Sequence, residues 1–226
     1  MDITAEAISK QYMRDTGESN YFTPVKETSL RLEAGTFTML SGRSGCGKTT
    51  LLSMLCGLLA PSAGKVFCDD TDLYALGDKE LSRFRNRNFG VIPQGESALH
   101  SLTVLENILL PAGLFPDSKR DQEIKKRAGE LLDVLGIPAL AEIRPSELSG
   151  GELRRMAIAR GLILDPPVIF ADEPTGDLDD ENTTRVFKLL RGLADAGHTV
   201  FVVTHEAEGK EYADKIYRMS SGELFL

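Results

Sequence analysis

Two hydrophobic rhythms divide this chain. Residues 36–40 form a short β-prone run ended by Ser41 and Gly42, and a helical pattern follows over 48–59. Pro61 and Gly64 close that helix before another strand at 66–68. Residues 168–171 and 199–204 are continuously apolar. Lacking the alternation of a half-exposed sheet, they read as parallel strands buried on both faces. Over 182–196, Val186, Leu189, Leu190 and Leu193 share one helical face, and Gly197 stops the helix. Strands alternating with helices predict a parallel α/β core. From 103 to 164 the rhythm is mostly helical. Thr103 and Glu106 have capping-box spacing, and a charged amphipathic helix is expected over 118–135, ended by Gly136. The expectation is a single domain over 1–226, with a core from 1–93 and 165–226 and a helical lobe inserted at approximately 94–164.

Composition narrows the partners. The chain has 226 residues, 42% of them hydrophobic, enough for a sizeable core without staples. Its net charge of -8 argues against nucleic acid as a partner. The basic clusters at 83–87 and 125–127 are short and read as solvated surface. Cys46, Cys56 and Cys68 fit neither a zinc site nor a disulfide framework. Met1 is followed by Asp2 and Glu6, unlike a signal peptide. The longest apolar run, near 51–60, is interrupted by Ser53 and Gly57 and falls short of the ~20 residues of a membrane span. A cytoplasmic location is expected, with any membrane role supplied by a partner.

The chemistry begins at Gly42-Arg43-Ser44-Gly45-Cys46-Gly47-Lys48-Thr49, which Thr50 follows. This is the G-x-x-x-x-G-K-[ST] phosphate loop, set between an apolar strand and a helix as its mechanism requires. Its glycines turn backbone N–H groups toward phosphate oxygens, and the helix adds its positive end. Lys48 can reach the β- and γ-phosphates, and the Thr49 hydroxyl can bind Mg²⁺. A dinucleotide fingerprint would need its glycines in another order. The apolar run at 168–171 ends in Asp172 and Glu173. Asp172 is a candidate second Mg²⁺ ligand, and Glu173, pointing the other way along a strand, is the candidate base for the attacking water.

Leu148-Ser149-Gly150-Gly151-Glu152, continuing through Arg154 and Arg155 to Arg160, reads LSGGELRRMAIAR. Taken alone, Ser149 is a helix N-cap with anion-binding character. The stretch resembles the signature motif of ABC ATPases. Gln94, Asp179 and His205 match that family's Q-loop glutamine, D-loop aspartate and switch histidine, in the family's order from Gly42 to His205. The resemblance implies an α/β P-loop NTPase core with a mostly parallel sheet, N-terminal antiparallel β strands and an inserted helical subdomain. It also implies ATP and Mg²⁺ as cofactors, Gln94 joining Thr49 and Asp172 around the metal. Two subunits would sandwich two ATPs, each ATP bound by one phosphate loop and covered by the partner's Ser149, Gly150, Gly151 and Glu152. Gln94 and His205 would sense the γ-phosphate, and Asp179 would link the two sites. Both half-sites look intact, which permits a homodimer. A groove beside Gln94 would receive a membrane permease, leaving the chain peripheral on the inner face of the membrane. Tyr12 is the expected adenine-stacking aromatic, with Tyr21 and Phe22 as rivals near a long segment over 15–23.

The stretches 85–94, 102–107 and 171–179 resemble the branch holding the ATPases of macrolide export, lipoprotein release and antimicrobial-peptide resistance, together with a cell-division ATPase that transmits force. Residues 95–100 depart from the aromatic-rich stretch expected in lipoprotein-release members. A force-transmitting ATPase would need the same site. A soluble ABC ATPase would be expected to carry two such units or a long coiled-coil insertion. No N-K-x-D guanine motif is present. Cys46 stands where serine is frequent. At a helix N-terminus its thiol is expected to be reactive, and its alkylation to block hydrolysis unless Mg-ATP protects it.

Overall fold

The computed structural model describes residues 1–13, 21–117, 120–205 and 208–226. Residues 15–20 of the long N-terminal segment, and the first residues of the helix expected from 118, lie outside them. In chain order the elements are β1 (Ile3–Met13), β2 (Tyr21–Leu32), β3 (Phe37–Gly42), α1 (Lys48–Leu55), β4 (Ala63–Cys68), β5 (Thr71–Asp72), α2 (Asp78–Asn88) and β6 (Phe89–Ile92). Then come α3 (Val104–Leu114), α4 (Asp121–Val134), α5 (Gly150–Leu162), β7 (Val168–Asp172), α6 (Asp180–Asp195), β8 (Thr199–Val203), β9 (Lys215–Ser220) and β10 (Glu223–Phe225).

Two sheets form. One is antiparallel, in the order β2-β1-β4-β5. The other runs β10-β9-β3-β8-β7-β6, with every pairing parallel except the β10–β9 hairpin. β7 and β8 are buried at every position, as expected of parallel strands covered on both faces. One apolar cluster joins the antiparallel sheet and α1 to one face of the central sheet. A second joins the other face to α3, α4, α5 and α6. Between β6 and β7 the described residues contain helices and no strand, and α5 is bound to the core through Ile158, Ala159 and Leu162 in that second cluster.

The helix expected over 48–59 stops at Leu55. Gly57 sits at φ 72, and the Gly57 and Leu58 N–H groups donate back to Met54 O and Ser53 O, a Schellman closure. The freed end is then held from outside. The Tyr74 hydroxyl donates to Met54 O and Leu59 O, and Arg85 donates to Gly57 O.

Candidate active site

The phosphate loop sits between β3 and α1, braced from behind. The Gly222 N–H, in the β9–β10 turn, donates to Cys46 O, and Lys26 N–H donates to Gly222 O. Gly47 is required where it stands: its φ is 109, and a Cβ there would lie 2.0 Å from Pro24 O. Gly42 is pressed in the same way, its Cβ position 2.4 Å from Met219 O. Lys48 is buried, and its ammonium donates to Gly42 O and Arg43 O at 2.8 and 3.2 Å, holding the charge over the loop.

A cleft of about 580 Å³ opens on this loop. Arg43, Ser44, Gly45, Gly47, Thr49 and Thr50 form one side of it. β7 and β8, parallel and adjacent, deliver Asp172, Glu173 and His205 to the other, and Gln94 enters just after β6. Strand parity does not separate the two carboxylates. Glu173 already lies beyond β7, in the left-handed region at φ 49, and this turn aims it at His205. His205 Nδ1 lies 2.9 Å and 3.0 Å from the two Glu173 carboxylate oxygens. Glu173 is buried while the histidine ring is mostly exposed.

Asp172 is 2% exposed, and its Oδ1 has no hydrogen-bond partner. Desolvation pushes its pKa up, helped by neighbouring Glu173; Thr49, Lys48 and Arg154 pull the other way. A buried, orphaned carboxylate oxygen beside a hydroxyl is a donor set that fits a small hard cation. No group of three His, Cys, Asp or Glu side chains is placed to hold a metal ion among the described residues. Such an ion would therefore take few protein ligands and complete its shell with phosphate and water oxygens, as Mg²⁺ does.

Several expected residues are elsewhere. Tyr12 does not line the cleft; Phe22 does. The two are cross-strand partners in the β1–β2 register, and β2 is the edge strand, so Tyr12 lies one strand further from the phosphate loop. Cys46 is buried in the apolar cluster, its Sγ 2.8 Å from the Cβ position of Gly42, so it fills a small space under the loop.

Ser149, Gly150, Gly151 and Glu152 also lie away from the cleft, at the start of α5. Ser149 caps that helix in a reciprocal capping box: Glu152 accepts from the Ser149 N–H and hydroxyl, both at 2.7 Å, and the Glu152 N–H donates back to the Ser149 hydroxyl. The Ser149 N–H and hydroxyl hold the Glu152 carboxylate below its usual pKa. Asp179 caps α6 through the Asn182 N–H at 2.8 Å and is likewise outside the cleft. Two arginines of α5, named in the sequence only as part of the signature stretch, were given no role there. Arg154 donates to Pro93 O at 2.8 Å, and Arg160 donates to Ser97 O at 2.7 Å and to its hydroxyl, so α5 is strapped to both sides of Gln94. Their repeat within the signature helix was the available signal.

A strand-loop-helix phosphate cradle with an acidic strand end beside it defines a P-loop nucleoside triphosphatase. The comparisons refine this. The ABC transporter family model matches residues 25–176. The chain is 40% identical over 200 residues to an uncharacterised ABC transporter ATP-binding protein of Methanocaldococcus jannaschii, covering 88% of both chains. It is equally similar to the lipoprotein-releasing system ATP-binding protein LolD of Aquifex aeolicus, 40% over 200 residues and 88% of each. A dimeric structure of the bacterial ABC transporter cassette MJ0796 superposes with a TM-score of 0.92 at 33% identity, over 99% of this chain and 97% of that one. A structure of the same cassette in a post-hydrolysis state, bound to ADP and Pi, matches at 0.92 and 32%. This protein belongs to the ABC transporter family, as an ATP-binding and ATP-hydrolysing subunit. No helix among the described residues is long and apolar enough to cross a membrane.

Proposed function

We propose that the chain hydrolyses ATP as a homodimer whose two sites are each built from both copies, and that it drives a separate membrane permease from the cytoplasmic face. The observation that carries this is the division of the site. The phosphate loop, Asp172, Glu173, Gln94 and His205 share one cleft, whereas Ser149–Gly151 present a capped helix N-terminus elsewhere on the surface. A helix N-terminus suits an anion, so a second copy's α5 completes the phosphate cage.

In this reading the triphosphate lies along the loop N–H groups, with Lys48 turning from its carbonyl partners to the β- and γ-phosphates. Phe22, with Tyr12 behind it, offers a π-face to the adenine. Thr49, Asp172 and Gln94 would hold Mg²⁺, which would neutralise phosphate charge. Glu173 accepts a proton from a water whose oxygen bonds to the γ-phosphorus as the bond to the β–γ bridging oxygen breaks, leaving ADP and phosphate. His205 fixes the orientation of Glu173 through its 2.9 Å contact and reaches toward the γ-phosphate. Asp179 and the signature residues report on the site across the interface. The straps from Arg154 and Arg160 carry movement of Gln94 into the helical lobe, where the permease docks.

Glu173→Gln tests this reading. It is expected to keep nucleotide affinity, lower turnover by about 100-fold or more, and accumulate as a dimer with Mg-ATP by light scattering. Near wild-type turnover would remove Glu173 from its role. The same trapped dimer is expected to retain an integral membrane protein from solubilised host membranes; recovery of soluble components alone would overturn the permease half.

A further inference from the structure

Among the described residues, the buried Lys, Arg, Asp and Glu side chains are Lys48, Arg154, Asp172 and Glu173. Lys48, Asp172 and Glu173 line the nucleotide cleft. Arg154 comes from α5 and is 8% exposed, although it makes no ion pair among those residues. A buried charge is costly unless it is paired or hydrogen-bonded. An apolar side chain of similar volume commonly packs as well or better. The place of Arg154 therefore calls for a reason other than filling space.

Its two ends supply one. Nη1 donates to Pro93 O at 2.8 Å, the carbonyl directly before Gln94. Nη2 lies 3.8 Å from the Cβ position of Gly176, in the turn that the Gly176 N–H closes by donating to Glu173 O at 3.2 Å. These two segments leave the ends of β6 and β7, which are adjacent and parallel. Arg154 also lines a small cavity of about 200 Å³ with Gly95, Glu96 and Ser97 of the first segment and Asp177 of the second. Its charge is felt at Asp172: desolvation raises the pKa of that carboxyl, and Arg154 is among the groups that pull against it. The helix behind it is anchored by Met156, Ile158, Ala159 and Leu162 in the apolar cluster shared with α3 and α4. The guanidinium is thus a planar fork, reaching from the helical lobe between the segment that carries Gln94 and the turn that aims Glu173.

We propose that Arg154 is a positioning residue for hydrolysis, its fork fixing Gln94 and Glu173 relative to each other across the ends of β6 and β7. This rests on the roles given above to Gln94 at the metal and Glu173 at the water. Arg154 itself touches no nucleotide in this arrangement. Loss of the fork leaves the phosphate loop as it is and loosens both groups together, so metal-free nucleotide binding and the chemical step come apart.

The experiment compares Arg154→Met, Arg154→Lys and Gln94→Ala with the parent chain. Binding of a fluorescent ATP analogue is titrated without metal and then against Mg²⁺, and kcat is measured with ATP and Mg²⁺ both saturating. Arg154→Met is expected to need roughly tenfold more Mg²⁺ for half of the metal-dependent gain in binding, and to lower kcat roughly tenfold. Its metal-free affinity is expected to stay within about twofold and its Tm close to the parent's. Arg154→Lys keeps a donor for Pro93 O without the planar fork and is expected to recover part of both losses. A parental Mg²⁺ requirement or a parental kcat in Arg154→Met overturns the proposal. So does a metal-free affinity that falls along with Tm, the mark of a merely structural role. Gln94→Ala separates this from the reading beneath it. If that variant leaves the Mg²⁺ requirement unchanged, Gln94 has no place at the metal and the underlying reading fails. If it raises the requirement while Arg154→Met does not, the role of Arg154 alone fails.

Discussion

At the scale of single residues, Gly47 is the least replaceable position in the loop. An alanine there combines φ 109 with a Cβ 2.0 Å from a backbone carbonyl, so the strand carrying Pro24 or the loop itself must shift. Gly47→Ala is expected to weaken nucleotide binding at least tenfold and to lower Tm, measured by titration with a fluorescent nucleotide and by calorimetry. An unchanged affinity would mean that the loop relaxes without losing its N–H array. The loop residues and the two carboxylates were legible in the sequence because their chemistry depends on spacing within a few residues. Which of Tyr12, Tyr21 and Phe22 lines the cleft was not. The choice depends on which strand of a hairpin is the edge, and Tyr12 and Phe22 occupy the same register in that hairpin. The burial of the Cys46 thiol was equally hidden, since it depends on Met219 and Gly42 closing over a residue far away in sequence from one of them.

Among elements, α5 joins an observed cap to the role in the dimer proposed for its N-terminus. Its capping box is a local matter, so Ser149→Ala costs about 1 kcal/mol. Ser149→Arg is expected to leave ATP binding to the monomer intact and to abolish the ATP-driven dimer, read by size-exclusion chromatography with light scattering. A normal dimer in that variant would place the signature outside the interface. Helix α3 holds the segment after Gln94 by one buried side chain: the Asn107 amide donates to Leu99 O, Leu102 O and Thr103 O, and its carbonyl accepts from Leu99 N–H. Asn107→Ala strands these groups and is expected to cost roughly 3 kcal/mol, by urea unfolding. Capping signals made α3 and α5 readable in advance. α2 left no such trace, because Leu81 is its one buried residue and the rest reads as a charged surface. The end of α1 was overrun because the apolar pattern continues through Leu58 and Leu59 while Gly57 reverses the backbone.

For the whole molecule, the antiparallel sheet is tied at its outer end by Asp2. Its carboxylate accepts from Arg31 and from the Ala34 N–H, and Arg31 foremost holds its pKa below the usual value. A depressed carboxylate stabilises the fold above its unfolded pKa and loses that contribution as pH falls through the folded value. The group is partly exposed and its ion pair is screened, so the effect is small. Asp2→Asn is expected to lower Tm near pH 6, with a deficit that shrinks as pH drops below about 4. A deficit constant across that range would assign the loss to packing instead. The parallel core and helical middle were predictable from rhythm; the β9–β10 hairpin was not, although its Gly222 turn braces the phosphate loop from behind.

The two-copy site proposed above also has a genetic meaning. A copy damaged only at Ser149 still offers a sound phosphate loop, and a copy damaged only at Lys48 still offers a sound signature. Mixed in one cell, the two defects would complement at one of the two sites in each hybrid and fail together at the other. A Ser149→Arg allele expressed beside the normal gene would act as a poison rather than a bystander, since every hybrid it enters carries a site that cannot close.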